Sequence, residues 1–327
     1  MLIFWIIIFS VSLYTLIKAA DYFTESAEKF GLALKISPFV VGATIISIGT
    51  TLPELATAII ATLHGQTEMV AANAIGSNIA NILLITGLAA IVAGTLVVRR
   101  IRIDLPLLAA ATALIVAIIW DRQVTSGEGV VAILGYIVYA TYTIKADRQE
   151  KSKPEGILPG EDIPVTRESR YHWRKKHRDL NLKLFFVLVV SCILVYLGAE
   201  WTVKSIMKIS DIMGLASSVV VMSAMAIGTS LPELVVAISA VRKRKYEIAL
   251  GNVFGANIFN MLMVIGIPAL FTTLQVDENT FKLGLPFVMG VTVLYIFSCL
   301  TKKIHYWDGM MYLLIYILFL AKLFGLF

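Results

Sequence analysis

The chain has 327 residues, of which 58% are hydrophobic and 15% charged, and its mean hydropathy is +0.83. This composition excludes an ordinary water-soluble globular protein and indicates an integral membrane protein. The formal net charge is +6. Most basic residues lie in loops on one side of the predicted topology, so the charge indicates membrane orientation rather than nucleic-acid binding.

Ten apolar segments are long enough to cross about 30 Å of hydrocarbon as helices. In chain order they cover residues 2–20, 37–63, 68–96, 103–120, 129–145, 182–204, 214–241, 246–273, 281–300 and 308–326. Gly and Asn interrupt the third and eighth segments and could mark broken helices. The excess of Lys and Arg in alternate loops predicts that both termini lie outside. The polar loop 146–181, which ends in the basic run "RYHWRKKHR", is then cytoplasmic, where anionic lipid headgroups attract such a run.

The two halves of the chain repeat each other. "GTTLPELATAI", which contains Glu54, returns as "GTSLPELVVAI", which contains Glu233, at an offset of 179 positions (233 − 54 = 179). Asn81 and Asn260 share this offset. Each half contains five spans, an odd number, so the second half must enter the membrane with opposite polarity, as secondary transporters often do. We therefore predict an all-α integral membrane protein of ten transmembrane helices in two inverted five-helix repeats, residues 1–145 and 182–327, joined by the loop 146–181.

The repeated motif places an acid beside a proline at membrane depth. Pro53 cannot donate a hydrogen bond to the carbonyl of Gly49, so a kink or break is predicted there, with free carbonyls around Ser47 to Thr50. A simpler interpretation is that Thr51 and Ser230 cap helices whose third residue is the glutamate. Capping alone does not explain a helix start at mid-membrane in both halves. A charge at the bilayer centre costs several kcal/mol, from about 2.5 to more than 10, and therefore indicates function.

The third and eighth spans carry polar faces. Three side chains at i, i+4 and i+8 share one face of each helix: Asn73, Ser77 and Asn81 in the third span, and Asn252, Ala256 and Asn260 in the eighth. The alternative role is helix packing through amide hydrogen bonds. Both roles stay open for Asn73 and Asn252, whereas we interpret Ser77, Asn81 and Asn260 as ligands.

If the glutamates and polar faces meet, carboxylate, hydroxyl, amide and carbonyl oxygens surround one cavity. Such a set suits a hard cation such as Ca²⁺, and two glutamates balance one divalent charge. Without a cation the glutamates would repel each other, or one would take up a proton. The cost of an empty site favours ion exchange over ion leak. A proton-coupled exchanger remains an alternative, and an ion channel is a third hypothesis. No bound cofactor is expected, and no nucleophile is paired with a base inside the spans, so an enzyme is not predicted.

The two "GT[TS]LPEL" motifs, each followed by a "GNxxG[SA]NIxN"-like segment, resemble the sodium/calcium exchanger family of the cation/calcium antiporter superfamily, prokaryotic type. The resemblance implies an antiporter of the prokaryotic inner membrane that moves Ca²⁺ and Na⁺ across the lipid bilayer, with its first and sixth spans sliding past eight others. We expect it to function as a monomer.

The resemblance also implies residue roles. Glu54 and Glu233 are the calcium carboxylates, and Thr50 and Thr229 ligate through hydroxyl and backbone oxygens. The other implied ligands are Thr51, Ser77 and Ser230 for sodium, Ser47 and Ala226 through their carbonyls, and Asn81. Ala256 and Asn260 depart from the expected pattern, since Ser would match the first position and some members carry Asp at the second.

Overall fold

The computed structural model describes residues 2–98, 104–152, 182–212, 230–323 and 325. These residues are mostly helical. The α-helices are α1 (Leu2–Ala33), α2 (Pro38–Val41), α3 (Ser47–Leu63), α4 (Glu68–Ala80), α5 (Thr86–Ala93), α6 (Asp104–Ile118), α7 (Ser126–Ser152), α8 (Leu182–Ile212), α9 (Leu231–Arg242), α10 (Tyr246–Phe259), α11 (Ile265–Ala269), α12 (Leu285–Leu300) and α13 (Tyr306–Leu323). The π-helical segments are π1 (Gly42–Ile46), π2 (Asn81–Ile85), π3 (Asn260–Val264) and π4 (Thr280–Gly284), and a 3-10 turn covers Ile119–Asp121. The short strands are β1 (Thr95–Val97), β2 (Gln123–Val124), β3 (Leu274–Gln275) and β4 (Lys303–His305).

The helices make this a multi-pass membrane protein. Eight helical stretches in the described residues are long and apolar enough to cross a bilayer: Leu2–Ala33, Pro38–Leu63, Glu68–Ala93, Ser126–Arg148, Leu182–Ile209, Tyr246–Ala269, Thr280–Leu300 and Tyr306–Leu323. Leu105–Asp121 is a shorter apolar helix. These stretches overlap nine of the ten predicted spans. The predicted span 214–241 is described only from Ser230 onward.

The third and eighth spans are not broken, so that prediction was wrong. Helix continues through their Gly and Asn residues, and each span instead contains one π-helical segment, π2 or π3. A π-helical turn accommodates an extra residue without ending the helix, and such turns are frequent at functional sites. Both segments begin at an asparagine, Asn81 or Asn260.

Pro53 does not break its helix either. It lies inside α3, which runs unbroken from Ser47 to Leu63. Pro53 has no backbone N–H to donate to the carbonyl of Gly49. That carbonyl instead accepts a hydrogen bond from the thiol of Cys192 in α8 at 3.3 Å. Glu54 therefore lies in a helix interior, and the prediction that it occupies a first helical turn was wrong.

The helix α10 is the centre of the bundle, and small residues let it approach its neighbours closely. A Cβ added to Gly251 would lie 2.2 Å from the carbonyl oxygen of Phe39, and one added to Gly255 would lie 2.2 Å from that of Ala43. These contacts are with α2 and π1, directly before α3. Backbone contact of this kind is how small residues promote helix association in membranes.

The two small sheets mark opposite ends of the bundle. The strand β1 pairs antiparallel with β4, and β2 pairs antiparallel with β3. The backbone N–H of Gln275 in β3 donates to the hydroxyl of Thr67, which precedes α4. The strand β1 follows the other end of the same α4–π2–α5 span, whose 26 residues extend about 39 Å at 1.5 Å per residue.

The helix α1 lies along α8, and polar contacts join its second half to the C-terminal end of α9. The carboxylate of Asp21 accepts a 2.6 Å hydrogen bond from the hydroxyl of Ser239 and is 3.1 Å from the ammonium of Lys243. Glu28 forms an ion pair with Lys245, directly after α9. These contacts set the position of α1 against the helix that carries Glu233.

Replacement of Gly251 by alanine should destabilise the protein. The new methyl group would overlap the Phe39 carbonyl at 2.2 Å, and overpacking of this kind costs about 1–3 kcal/mol. The control is Gly290→Ala in α12, where an added Cβ meets nothing within 4 Å. Thermal unfolding in detergent should show a lower melting temperature for Gly251→Ala and an unchanged melting temperature for Gly290→Ala. Equal melting temperatures would contradict the close packing.

Candidate cation site

The helix α3 presents one polar face to the protein interior. Ser47, Thr50, Thr51 and Glu54 follow each other at helical spacing, so they share a face. All four are buried, and Glu54 is only 1% exposed. A carboxylate at this depth is surrounded by protein rather than by water or lipid.

The second half of the chain brings matching groups from α9 and α10. Ser230 and Glu233 lie at the start of α9, and each is 1% exposed. Asn252 in α10 and Asn260 at the start of π3 are also buried. These polar residues therefore come from three helical spans, α3 in the first half of the chain and α9 and α10–π3 in the second.

Two hydrogen bonds join the halves directly. The hydroxyl of Thr51 donates to Oε1 of Glu233 at 3.1 Å. The hydroxyl of Thr50 donates to Oδ1 of Asn252 at 3.4 Å and also contacts the carbonyl of Ser47 at 3.3 Å. Since Glu54 follows Thr51 by one turn on the same face, the two glutamates lie in one buried neighbourhood, where two ionised carboxylates would repel each other.

Many polar atoms at this place have no hydrogen-bond partner in the described part of the chain. They are both carboxylate oxygens of Glu54, Oε2 of Glu233, the hydroxyl of Ser230, and both side-chain polar atoms of Asn81 and Asn260. Buried polar groups are normally hydrogen-bonded, and the exceptions need an explanation. Unpaired carboxylate, hydroxyl and amide oxygens, gathered without thiolate or imidazole, have the chemistry of ligands for a hard cation.

A cavity of 420 Å³ adjoins this region. Its lining includes Glu68 and Asp277 at the β2–β3 end of the bundle, and Asn73 and Ser77 further along α4. Polar groups thus extend from that end of the bundle to Ser77, one of the predicted ligands.

The comparison with known families agrees with these observations. The family model described as "Sodium/calcium exchanger protein" matches residues 4–145 and 183–325. The chain belongs to the sodium/calcium exchanger family.

Similar proteins are known from bacteria and archaea. Inner membrane protein YrbG of Escherichia coli strain K12 is 31% identical over 88% of this chain and 86% of its own length. Sodium/calcium exchanger MaX1 of Methanosarcina acetivorans is 30% identical over 97% of this chain and 98% of its own length. A solved structure of the sodium-calcium exchanger NCX_Mj, soaked with zero Na⁺ and Ca²⁺, is 26% identical, with a TM-score of 0.82 over 99% of this chain and 100% of that chain. The relatives named as exchangers are transporters rather than enzymes.

The structure corrects the capping interpretation of the family motif. Thr51 is in the interior of α3, and its hydroxyl donates to Glu233 instead of capping a helix. Ser230 does occupy the position before α9, but its side chain makes no capping hydrogen bond. Neither hydroxyl therefore caps a helix.

The remaining predicted residues divide by location. Ser77 and Asn81 are buried beside the exchanger motifs, whereas Asn73 is partly exposed and its Nδ2 has no partner among the described residues. The side-chain oxygen of Asn252 accepts a hydrogen bond from the Thr50 hydroxyl, and Ala256 is fully buried. Thr229 and Ala226 lie outside the described residues.

Sequence reasoning missed one pair, Asn78 and Asn257. Both are 0% exposed, and Nδ2 of Asn78 donates to the backbone carbonyl of Asn257 at 3.0 Å. Their separation of 179 positions is the offset of the repeat, and that signal could have identified them.

Replacement of Glu54 by glutamine should stabilise this exchanger in cation-free buffer. It removes a buried carboxyl group whose two oxygens lack partners among the described residues, and an unsatisfied buried group costs about 1–3 kcal/mol, or more if charged. The control is Glu278→Gln, since Glu278 is exposed and paired with Lys282, and such pairs contribute little. Thermal unfolding should give a higher melting temperature for the first variant only. A lower melting temperature for Glu54→Gln would refute the interpretation.

Proposed function

We propose that this protein is a secondary active antiporter that exchanges Ca²⁺ for Na⁺ by alternating access. The observation that carries the proposal is the hydrogen bond from Thr51 to Glu233, which brings the carboxylates of the two halves into one buried, oxygen-rich neighbourhood. Membership of the sodium/calcium exchanger family, and relatives named for sodium and calcium, support the choice of ions.

Glu54 and Glu233 would be the main calcium ligands. Ca²⁺ takes six to eight oxygen ligands and accepts carboxylates, hydroxyls, amides and carbonyls. One Ca²⁺ would neutralise both glutamates. The oxygens proposed to complete the calcium and sodium sites belong to Thr50, Thr229, Thr51, Ser230, Ser77, Asn81, Asn260, Ser47 and Ala226, with Asn73 and Asn252 supporting them.

Charge compensation explains why such a site exchanges ions instead of leaking them. Two neighbouring carboxylates in a poorly solvated place are unfavourable without a cation. A carrier that changes face only with these charges neutralised must carry a cation in each direction. Ca²⁺ and Na⁺ would then move in opposite directions through one site, and the cavity from Glu68 to Ser77 would be a route by which cations reach it.

The proposed architecture is ten transmembrane helices in two inverted repeats, residues 1–145 and 182–327, joined by the cytoplasmic loop 146–181. Two features support it: π2 and π3 begin at repeat-related asparagines, and each small sheet pairs one strand from each half. Both termini would lie outside, and α1 and α8 would slide past the other eight spans. The proposed cation site is built from one chain, so the functional form would be a monomer in the prokaryotic inner membrane.

Calcium-45 uptake into proteoliposomes tests the proposal. Vesicles loaded with Na⁺ and diluted into Na⁺-free buffer should accumulate Ca²⁺, and dissipating the Na⁺ gradient should stop the uptake. Glu54→Gln and Glu233→Gln should each reduce it at least tenfold, because each removes a charged ligand. The control is Glu200→Gln, whose carboxylate pairs with Lys204 in its own helix.

Two outcomes would redirect the assignment. Uptake driven by an imposed pH gradient without Na⁺ would identify a proton-coupled exchanger. Uptake that needs no ion on the opposite side of the membrane would identify a channel. Full uptake by both glutamine variants would remove the glutamates from the mechanism.

Thr51→Val should weaken Ca²⁺ binding by about tenfold or more. The valine keeps the shape of the side chain but removes the 3.1 Å hydrogen bond that orients Glu233, and hydrogen bonds to charged groups contribute about 1.5–3 kcal/mol. Thr57→Val is the matched control, since the Thr57 hydroxyl donates to the Pro53 carbonyl in the same helix. The Ca²⁺ concentration for half-maximal uptake should rise only in the first variant. An equal rise in both would show that helix stability, not Glu233, is affected.

A further inference from the structure

Asn78 and Asn257 form a hydrogen-bonded contact between the two halves at the depth of the candidate site. Neither residue is exposed. Each lies three residues before an asparagine that the proposed function treats as a ligand, Asn81 or Asn260. Their amide groups therefore belong to the protein interior beside the cation site and not to a surface that faces lipid.

The contact is not symmetric. Nδ2 of Asn78 donates across to the carbonyl of Asn257 at 3.0 Å, whereas Nδ2 of Asn257 donates to the carbonyl of Val253 in its own helix at 2.8 Å. The amide oxygens of both residues have no partner in the part of the chain that the structure describes. Two amides that served only to join the helices could satisfy these oxygens by bonding each other.

The asymmetric arrangement has a reciprocal counterpart. The repeat relates Asn78 to Asn257 and Ala74 to Val253 at the same offset. In the counterpart, Asn257 would donate across to the carbonyl of Asn78, and Asn78 would donate to the carbonyl of Ala74. The number of hydrogen bonds is equal in both arrangements. All of the acceptors are backbone carbonyls, so rotation of the two amide side chains would interchange them.

In each arrangement, the bond between the repeats ends on the helical turn that carries a proposed ligand of the opposite half. The carbonyl of Asn257, which accepts from Asn78, also accepts from the backbone N–H of Asn260. The equivalent carbonyl of Asn78 accepts from the backbone N–H of Asn81. The donor from one half thus holds the turn of helix from which the other half's ligand projects.

We propose that Asn78 and Asn257 are positioning residues that alternate as donors of the hydrogen bond between the repeats, one in each of the two transport states. This inference rests on the proposed alternating-access function, in which inverted repeats exchange conformations between states. Asn78 supports Asn260 in the state described here, and Asn257 supports Asn81 in the other.

The proposal predicts opposite effects for two matched variants. Asn78→Ala removes the bond between the repeats from the present arrangement and only a bond within α4 from the reciprocal one, and Asn257→Ala does the reverse. Each variant should shift the equilibrium toward the state that keeps the bond between the repeats, by about fivefold where that bond contributes about 1 kcal/mol more than the bond within one helix. A ligand's apparent affinity follows the population of the state that binds it. The ratio of half-maximal Ca²⁺ concentrations at the two membrane faces should therefore change about fivefold in opposite directions, while Gln123→Ala, whose side chain is exposed in β2, leaves it unchanged.

A measurement independent of transport uses spin labels at Tyr14 in α1 and Trp120 at the end of the bundle, both exposed, with both native cysteines replaced by serine. The two variants should change the weights of the distance populations in opposite directions. Changes in the same direction, or none, overturn the proposal and leave a structural role. Leucine at either position, similar in size and without a donor, replaces an alanine variant that does not fold. If the wild-type protein shows no Na⁺-driven Ca²⁺ uptake, the proposed function fails, and the distance measurement still decides the role of the asparagines.

Discussion

The rest of the structure depends on two carboxylates buried at membrane depth. Lipid offers no hydrogen bonds and little dielectric screening, so Glu54 and Glu233 must be compensated by protein groups or by cations. The protein supplies few donors to them: Thr51 reaches one oxygen of Glu233, and the oxygens of Glu54 have no protein partner within the described residues. A site that leaves its charges for a ligand to neutralise loses stability and gains affinity, a trade found at many functional sites. In the proposed function, transport would follow from the same imbalance, because the favourable states would be those with cations bound.

Such a site needs a rigid frame, and the frame comes from close backbone packing. Apolar burial cannot drive helices together in lipid as it does in water, so small residues and helix-to-helix contacts take its place. Gly251 and Gly255 let α10 cross the segment before α3 at backbone distance, which fixes Asn252 beside Thr50. The π-helical segments that start at Asn81 and Asn260 add a residue to each turn. The proposed ligands are therefore held by helices whose relative positions allow little adjustment, as a preorganised site requires.

The sequence predicted the features that depend on local composition or on the repeat. Membrane spans follow from hydropathy, and the paired glutamates follow from their shared offset. The errors came from tertiary partners. Pro53 frees a carbonyl in any helix, but the thiol of Cys192, from a helix distant in sequence, accommodates that carbonyl without a break. Thr51 fits a capping pattern, yet the hydroxyl is committed to Glu233 from the other half. Neither partner, Cys192 or Glu233, can be recognised from the residues that surround the motif. Residues 213–229 lie outside the described structure.

The two halves resemble each other in sequence but not in every contact, and in an inverted-repeat carrier this difference has a physical meaning. Asp21 of α1 is bound to Ser239 and Lys243 of α9. Its counterpart Glu200 pairs instead with Lys204 in its own helix. If both halves adopted one conformation, a cation would reach the site equally from either face, and ions would leak. A carrier must therefore hold its repeats in different conformations at any moment and exchange them between states. In the proposed mechanism, the unequal contacts of Asp21 and Glu200, like the unequal amides of Asn78 and Asn257, would be the asymmetry that one such state requires.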